Sequence, residues 1–216
     1  MKNSILTRMI GMLIVYFALE YFGGSFGRTV LYPINQLVTF LHEFGHALGA
    51  ILTGGSVEAL QVNEDGSGFT ITRGGNRGIV LMGGYIGSAL FGNLLFYIGA
   101  RKERWAGWTL NILAGLMIFS SLFWFNSLYT SGFLIAFAIG IYIITSRTSY
   151  AREVLMFLGL VSILYIIQDF NVGPSSDLNE YAKLFVVIPA TVWMYIWLFI
   201  ALLLSFMNLR MIFKEK

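Results

Sequence analysis

The 216-residue chain has no cysteine, only two histidines and three prolines, and few charged residues. The absence of cysteine excludes disulfide frameworks, thiolate zinc sites and cysteine nucleophiles. Charged residues make up 12% of the sequence, well below the share of about 25% in soluble domains, whereas hydrophobic residues make up 57%. This composition predicts a protein embedded in a lipid bilayer. The formal net charge of +3 is spread without a basic stripe, so nucleic acid is not an expected partner.

Seven apolar runs have about the 20 residues needed to cross a bilayer. The first run has Lys2 and Arg8 ahead of its apolar stretch, as a signal peptide would. No small-residue cleavage pattern follows it, which favours a retained span. Without linkers or repeats, the sequence predicts one membrane-embedded domain over residues 1–216. We expect an all-α polytopic membrane protein with six or seven transmembrane helices, multi-pass in a bacterial cell membrane. The runs cover residues 5–22, 30–53, 83–100, 107–125, 131–146, 153–169 and 190–209.

Residues 54–82 are too polar and too rich in glycine to span a membrane. Two short strand patterns, 56–62 and 69–73, flank a turn with Asp65-Gly66 at its centre. This pattern predicts a β-hairpin insertion at one membrane face, although a plain connecting loop is the alternative. If all seven runs cross the membrane, the end of the second run, the hairpin and the 170–189 loop lie on the same side.

The second run contains an H-E-x-x-H motif at residues 42–46. On a helix, positions i and i+4 are about 40° apart, so the imidazoles of His42 and His46 project from one face and can bind one zinc ion. Glu43 lies about 100° around the helix, where it can act as a general base without being a ligand. A pair of hydrogen-bonded histidines without metal is the alternative.

Gly45 and Gly49 in the same run, and Gly83 and Gly87 in the third run, are each four residues apart. In a membrane this small-xxx-small spacing lets helices approach closely. We therefore interpret these four glycines as packing residues.

The motif and its surroundings resemble the site-2-protease-like zinc metalloproteases, which cleave other membrane proteins within or beside the bilayer. The resemblance extends over about residues 38–95 and a short stretch near 173–190. It is carried by the 42–50 helix, by Leu52-Thr53-Gly54-Gly55, by the 65–68 turn and by the glycine-rich 83–92 segment, which look like the small, mostly bacterial branch of the family.

The resemblance implies a third metal ligand, an aspartate that the family usually carries in an L-D-G context absent from this chain. Asp65 is explained by the hairpin turn. Asp177, in a Ser-Ser-Asp-Leu-Asn stretch, is the better candidate because it resembles the serine-aspartate stretch that opens a late segment in the small branch. If all seven runs cross the membrane, it also reaches the same membrane face as His46. The alternatives are that Asp177 only caps a helix in a box with Glu180, or that Asp169 or another carboxylate is the ligand.

Asn93 lies in the middle of the third run. In the family, an asparagine after the hairpin can hold the substrate backbone or the developing oxyanion, which makes Asn93 a candidate catalytic residue. Its spacing departs from the family pattern, and interhelical hydrogen bonding is the alternative.

Together these features predict a zinc-dependent intramembrane endopeptidase with one zinc ion held by His42, His46 and Asp177, with Glu43 as general base. The expected partners are a transmembrane protein substrate and the lipid bilayer; the sequence does not specify an oligomeric state. The first alternative is a catalytically silent scaffold that binds membrane helices. A metal transporter is disfavoured because runs four and five carry no charge, and a CAAX-type prenyl protease because no third histidine exists.

Overall fold

The computed structural model describes residues 2–170, 173–185 and 187–214 of the chain. Residues 171, 172 and 186, which belong to the predicted 170–189 loop, lie outside the described residues. A short π-helix, Ala18–Phe22, follows the first helix. The α-helices are α1 (Lys2–Phe17), α2 (Gly24–Leu52), α3 (Arg77–Arg101), α4 (Glu103–Phe123), α5 (Leu128–Arg147), α6 (Ala151–Asp169), α7 (Ser176–Leu184) and α8 (Ala190–Lys214).

Six helices among the described residues are long and apolar enough to cross a membrane. They are α1 with its π-helical extension, α3, α4, α5, α6 and α8. The predicted all-α polytopic fold with six or seven transmembrane helices is thus confirmed. Two of the described α-helices are outside this set. Helix α7 has only nine residues, and α2 carries polar side chains such as Gln36 and Glu43 buried against the rest of the protein. Helix α2 is therefore less apolar than a helix that faces lipid.

The largest differences from the predicted helix starts are at α2 and α3, each of which begins six residues early. Helix α3 begins at Arg77, six residues before the predicted start of the third run, so the polar 54–82 stretch is not wholly an insertion. The reason is a local cap, because the side chain of Asn76 accepts a hydrogen bond from the backbone N–H of Ile79 at 3.2 Å. Helix α2 begins at Gly24 rather than near residue 30.

Helices α2 and α3 pack against each other in antiparallel directions through the predicted glycines. A Cβ atom on Gly45 would lie 2.0 Å from the carbonyl oxygen of Gly83, and one on Gly83 would lie 2.4 Å from the carbonyl oxygen of Gly45. Further along, a Cβ atom on Gly49 would lie 2.8 Å from the carbonyl oxygen of Ile79. The packing interpretation of these glycines is confirmed, and the contact brings the N-terminal part of α3 beside the H-E-x-x-H segment.

The predicted hairpin is present as strands β1 (Ser56–Val62) and β2 (Gly68–Arg73), paired antiparallel, so the plain-loop alternative is wrong. The hairpin runs back along α2 from its C-terminal end. Thr39 donates a hydrogen bond to the carbonyl oxygen of Gly66 at 2.7 Å, and the Gln36 amide donates one to Asn63 at 2.9 Å. Since the strands lie alongside α2, they border the same helix face as the histidines.

The outer edge of β1 is covered by the connection between α4 and α5. The backbone N–H of Leu60 donates to the carbonyl oxygen of Trp124 at 3.0 Å. At Val62, the N–H donates to the hydroxyl of Thr130 at 3.1 Å, and that hydroxyl donates to the Val62 carbonyl at 3.0 Å. These bonds occupy backbone groups that an edge strand leaves unpaired. The other edge of this two-stranded sheet is the outer edge of β2.

Candidate metal centre

The side chains of His42, His46 and Asp177 meet between α2 and α7. Asp177 Oδ2 lies 3.0 Å from His42 Nε2 and 3.2 Å from His46 Nε2. One ligand atom from each residue lies within 4.8 Å of the others. The imidazole nitrogens of two residues one helical turn apart therefore meet a carboxylate oxygen from another helix, as a metal site requires.

Helix α7 orients Asp177 toward the histidines. The N-cap of α7 is Ser175, whose side chain accepts a hydrogen bond from the N–H of Leu178 at 3.4 Å. Asp177 lies in the first turn instead, so the alternative that it caps the helix in a box with Glu180 is wrong. Leu178 and Tyr181 are buried in an apolar cluster with α3 and α8, which anchors the helix and leaves the Asp177 carboxylate facing α2.

The Asp177 carboxyl group is ionised at neutral pH. Burial acts to raise its pKa, but hydrogen bonds and charge interactions with His42 and His46 outweigh burial and hold the pKa below its usual range. The centre therefore presents an anionic oxygen to the two imidazole rings.

The hydrogen bond of His46 Nδ1 to the backbone directs Nε2 toward Asp177. His46 Nδ1 lies 2.7 Å from the carbonyl oxygen of Val80, and because a carbonyl can only accept, Nδ1 carries the proton and donates it. In the neutral ring Nε2 then carries a lone pair, and it faces Asp177 Oδ2, which is also an acceptor. Either a proton on Nε2, which would make the ring an imidazolium, or a metal ion can join these two atoms. Metal-binding histidines commonly donate their other N–H to a backbone carbonyl in this way, and two nitrogens with one carboxylate oxygen suit zinc.

Gly84 on α3 keeps space open beside both imidazoles. A Cβ atom at this position would lie 2.5 Å from His42 Nε2 and 2.6 Å from His46 Nε2. Any side chain here would displace the rings, so only glycine is compatible with the observed arrangement of the two nitrogen atoms.

Glu43 is buried, at 4% exposure, and is held by the hairpin. The hydroxyl of Thr70 on β2 donates to Glu43 Oε2 at 2.7 Å. A Cβ atom on Gly68 would lie 2.8 Å from Glu43 Oε1, so the glycine leaves that oxygen room. One carboxylate oxygen is thus fixed by a hydrogen bond, and Gly68 leaves space beside the other.

These groups line a cavity of about 390 Å³ between α2, β2, α3, α6 and α7. The cavity brings together His42, Glu43, His46 and Asp177 with the stretch of β2 from Gly68 to Thr70. A segment of extended peptide entering along β2 would pass directly beside the three candidate ligands and the candidate base.

Asp169, the alternative third ligand, also lines the cavity but has a different partner. The hydroxyl of Tyr85 donates to Asp169 Oδ2 at 2.6 Å. The Tyr85 ring packs edge-on against the His42 ring, with centroids 4.7 Å apart. Tyr85 thus separates Asp169 from the histidines and supports the His42 ring.

The structure does not bring Asn93 into the cavity. Its amide nitrogen donates to the carbonyl oxygen of Ala89 at 2.8 Å and to the hydroxyl of Ser205 at 3.2 Å. Asn208 on α8 donates to Asn93 Oδ1 at 2.9 Å. Asn93 lies nine residues beyond Gly84, about 13 Å along α3. The interhelical hydrogen bonds that were its alternative role are observed, and its predicted catalytic role has no geometric support.

Sequence reasoning missed three residues of the centre: Thr70, Gly84 and Tyr85. For Gly84 a signal existed, because adjacent glycines at 83 and 84 free two faces of α3, one for packing on α2 and one for the histidines. Thr70 and Tyr85 left no such signal, since a threonine in a strand and a tyrosine in an apolar helix are ordinary there.

Comparison with known proteins gives one match. A family model described as Peptidase M50B-like matches residues 9–208, which is nearly the whole chain and includes every residue of the candidate centre. Searches among curated proteins and among solved structures found no significant match.

Proposed function

Because the chain belongs to the Peptidase M50B-like family, the site-2-protease family, we propose that it is a zinc-dependent endopeptidase that hydrolyses membrane proteins at or within the bilayer. Membership of a metalloprotease family and six apolar helices support an integral membrane enzyme. The observation that carries the proposal is the convergence of His42, His46 and Asp177 beside Glu43 in one cavity. The small, mostly bacterial branch stays a prediction, since the family match does not address it.

In this proposal His42 Nε2, His46 Nε2 and Asp177 Oδ2 would hold one zinc ion. When bound, zinc would supply Lewis acidity, which polarises the scissile carbonyl and makes water a stronger acid. The carbonyl of Val80 would keep His46 in the tautomer that presents Nε2, and Gly84 would leave the space that both nitrogens need.

Glu43 would take the proton from the attacking water and deliver it to the leaving nitrogen of the peptide bond. Its Oε1 is the oxygen free for this exchange, since Thr70 is bonded to Oε2. Burial of Glu43 in a cavity away from bulk water strengthens its interaction with charges that develop during the reaction.

We further propose that the substrate binds as an extended strand along β2. A helical peptide hides its carbonyl groups in its own hydrogen bonds, so cleavage requires an unwound segment. The edge of β1 is occupied by Trp124 and Thr130, whereas residues 66–70 line the cavity. This arrangement favours the outer edge of β2 over that of β1 as the site of pairing.

The test is proteolysis by purified protein in liposomes that contain a panel of single-span membrane proteins. We expect Glu43→Gln to lower the cleavage rate by about 10²–10⁴-fold, the usual contribution of a general base, while zinc content is unchanged. Glu58→Gln is the matched control, because Glu58 lies on β1 and pairs with the exposed Arg73 outside the cavity.

Equal cleavage by wild type and by Glu43→Gln would end this mechanism. Stoichiometric zinc without cleavage of any protein in the panel would favour the silent scaffold. Absence of zinc from active wild-type enzyme would overturn the metal assignment.

A further inference from the structure

A second cavity, which the proposed chemistry does not use, lies between α1, α2, α5 and α6. Its volume is about 850 Å³. The lining is almost entirely apolar and includes Met12, Ile34, Phe137 and Phe157. The charged side chains that line it are Arg8 and Glu153, which form an ion pair. We call this cavity the α1–α5 groove.

The ion pair marks the end of the groove that lies near the membrane surface. Glu153 is in the first turn of α6, and Ile144, which also lines the groove, is in the last turn of α5. The connection between these two candidate spans has to lie at the membrane–water boundary. Arg8 and Glu153 are therefore at the level of lipid headgroups, and the apolar part of the groove extends from them into the bilayer.

The length of the groove matches one leaflet. Along α5 it extends from Ile144 to Phe133, eleven residues, or about 16 Å at 1.5 Å per residue. Half of a hydrocarbon core of about 30 Å is about 15 Å. The groove thus begins at the headgroup level and ends near the bilayer midplane.

The groove is short for a transmembrane helix. A span of about 20 residues is about 30 Å long, roughly twice the length of the groove. The groove stays open because Gly11 and Gly140 line it and have no atom within 4 Å of an added Cβ, unlike the tightly packed Gly45 and Gly83. The open space beside these glycines can accept a hydrocarbon chain.

The geometry points to a phospholipid-binding site in the α1–α5 groove. One acyl chain lies along α5, the phosphate contacts the guanidinium of Arg8, and a cationic headgroup amine contacts the carboxylate of Glu153. Both side chains are partly exposed, at 39% and 31%, so a headgroup can reach them. A zwitterionic headgroup has one charge of each sign and complements this pair.

The test is native mass spectrometry of the full-length protein released from detergent, titrated with palmitoyl-oleoyl-phosphatidylethanolamine. We expect one bound lipid on wild type and about tenfold weaker binding by Gly140→Leu, because the new side chain displaces the contact of about two methylenes. Gly132→Leu is the matched control, since Gly132 is on the same helix, is equally unpacked and lies outside the groove. Ala136→Leu is a second groove variant, and melting temperatures show whether each variant is folded.

The headgroup contact is tested with diacylglycerol of the same chains. Arg8→Gln/Glu153→Gln, which removes both charges together, should weaken binding of the phospholipid and leave diacylglycerol binding unchanged. Equal lipid binding by the Gly140, Ala136 and Gly132 variants would overturn the site. So would a result in which groove variants raise the KM for a membrane-protein substrate while lipid binding stays the same, because the occupant would then be the substrate.

Discussion

Two aspartates line the cavity of the metal centre, and their hydrogen-bond partners differ. Asp177 faces both imidazoles, whereas Asp169 is bonded to the hydroxyl of Tyr85. Asp169 is the last residue of α6 and Asp177 lies in the first turn of α7, so their positions in the sequence alone do not show which one is the third ligand. Their different hydrogen-bond partners make the choice testable.

We expect Asp177→Asn to weaken zinc binding by about a hundredfold or more. Loss of a residue that only hydrogen-bonds to a metal ligand already lowers metal affinity by about 10–100-fold, and loss of a ligand should lower it further. Asp169→Asn is the matched control and should retain zinc affinity, because Asp169 supports Tyr85 rather than the metal. Competition with a zinc-chelating dye measures both affinities. The reverse result would assign the third ligand to Asp169.

How far the sequence predicts these residues depends on how local their signal is. His42, Glu43 and His46 follow from a spacing within one helical turn, which the helix geometry translates directly into a shared face. Asp177 depended on a family resemblance and on counting spans. Thr70 could not be predicted, because its contact with Glu43 depends on how the hairpin docks along α2.

At the scale of elements, the contact of α2 with α3 determines the shape of the centre. The backbones touch at Gly45 and Gly83, and the same stretch of α3 supplies Gly84 and the Val80 carbonyl to the histidines. A change that separates the two helices therefore disturbs both stability and the site.

We expect Gly83→Ala to lower the free energy of unfolding by about 1–3 kcal/mol, the usual effect of adding a methylene to a packed interior. Its Cβ would lie 2.4 Å from a backbone oxygen that cannot move without moving α2. Thermal unfolding in detergent and zinc affinity should both decline. Gly115→Ala on α4, where no atom lies within 4 Å, serves as the control and should lower neither, because alanine is the better helix former where it meets no clash. Equal stability of the two variants would contradict the close contact.

Element boundaries were predicted best where a change in polarity and the turn residues indicate the same position. The strands were expected at 56–62 and 69–73 and are found at Ser56–Val62 and Gly68–Arg73. Helix α3 was expected to start at residue 83 because the apolar run begins there. An apolar run indicates which part of a helix contacts lipid, whereas a capping residue such as Asn76 determines where the helix starts. The path of the hairpin along α2 depends on hydrogen bonds between distant residues such as Gln36 and Asn63, and no local pattern encodes it.

At the scale of the whole molecule, the candidate metal centre joins parts of the chain that are far apart in sequence. His42 and Asp177 are separated by 135 positions, and α7, which carries Asp177, is a helix of only nine residues. A metal ion shared between α2 and α7 would hold this short helix against the bundle.

We expect chelation of zinc to lower the melting temperature of the wild type by roughly 10 °C, because ligand at about 1,000 times its Kd stabilises a protein by about 4 kcal/mol. The measurement is thermal unfolding with and without a strong chelator in the same detergent. His46→Ala should already be destabilised and should not respond to the chelator. An equal response of that variant would show that the chelator acts elsewhere.

Because His42 and Asp177 are far apart in the sequence, they are also synthesised at different times. Ribosomes extend a chain from its N-terminus at about 5–20 residues per second, so Asp177 is made roughly 7–27 s after His42. During that interval the histidines and Glu43 exist without their third partner. In the proposed mechanism, which requires all of these groups, the protein would be inactive while most of its own chain is being synthesised. The order of synthesis would then keep newly inserted neighbours from being cleaved during that interval.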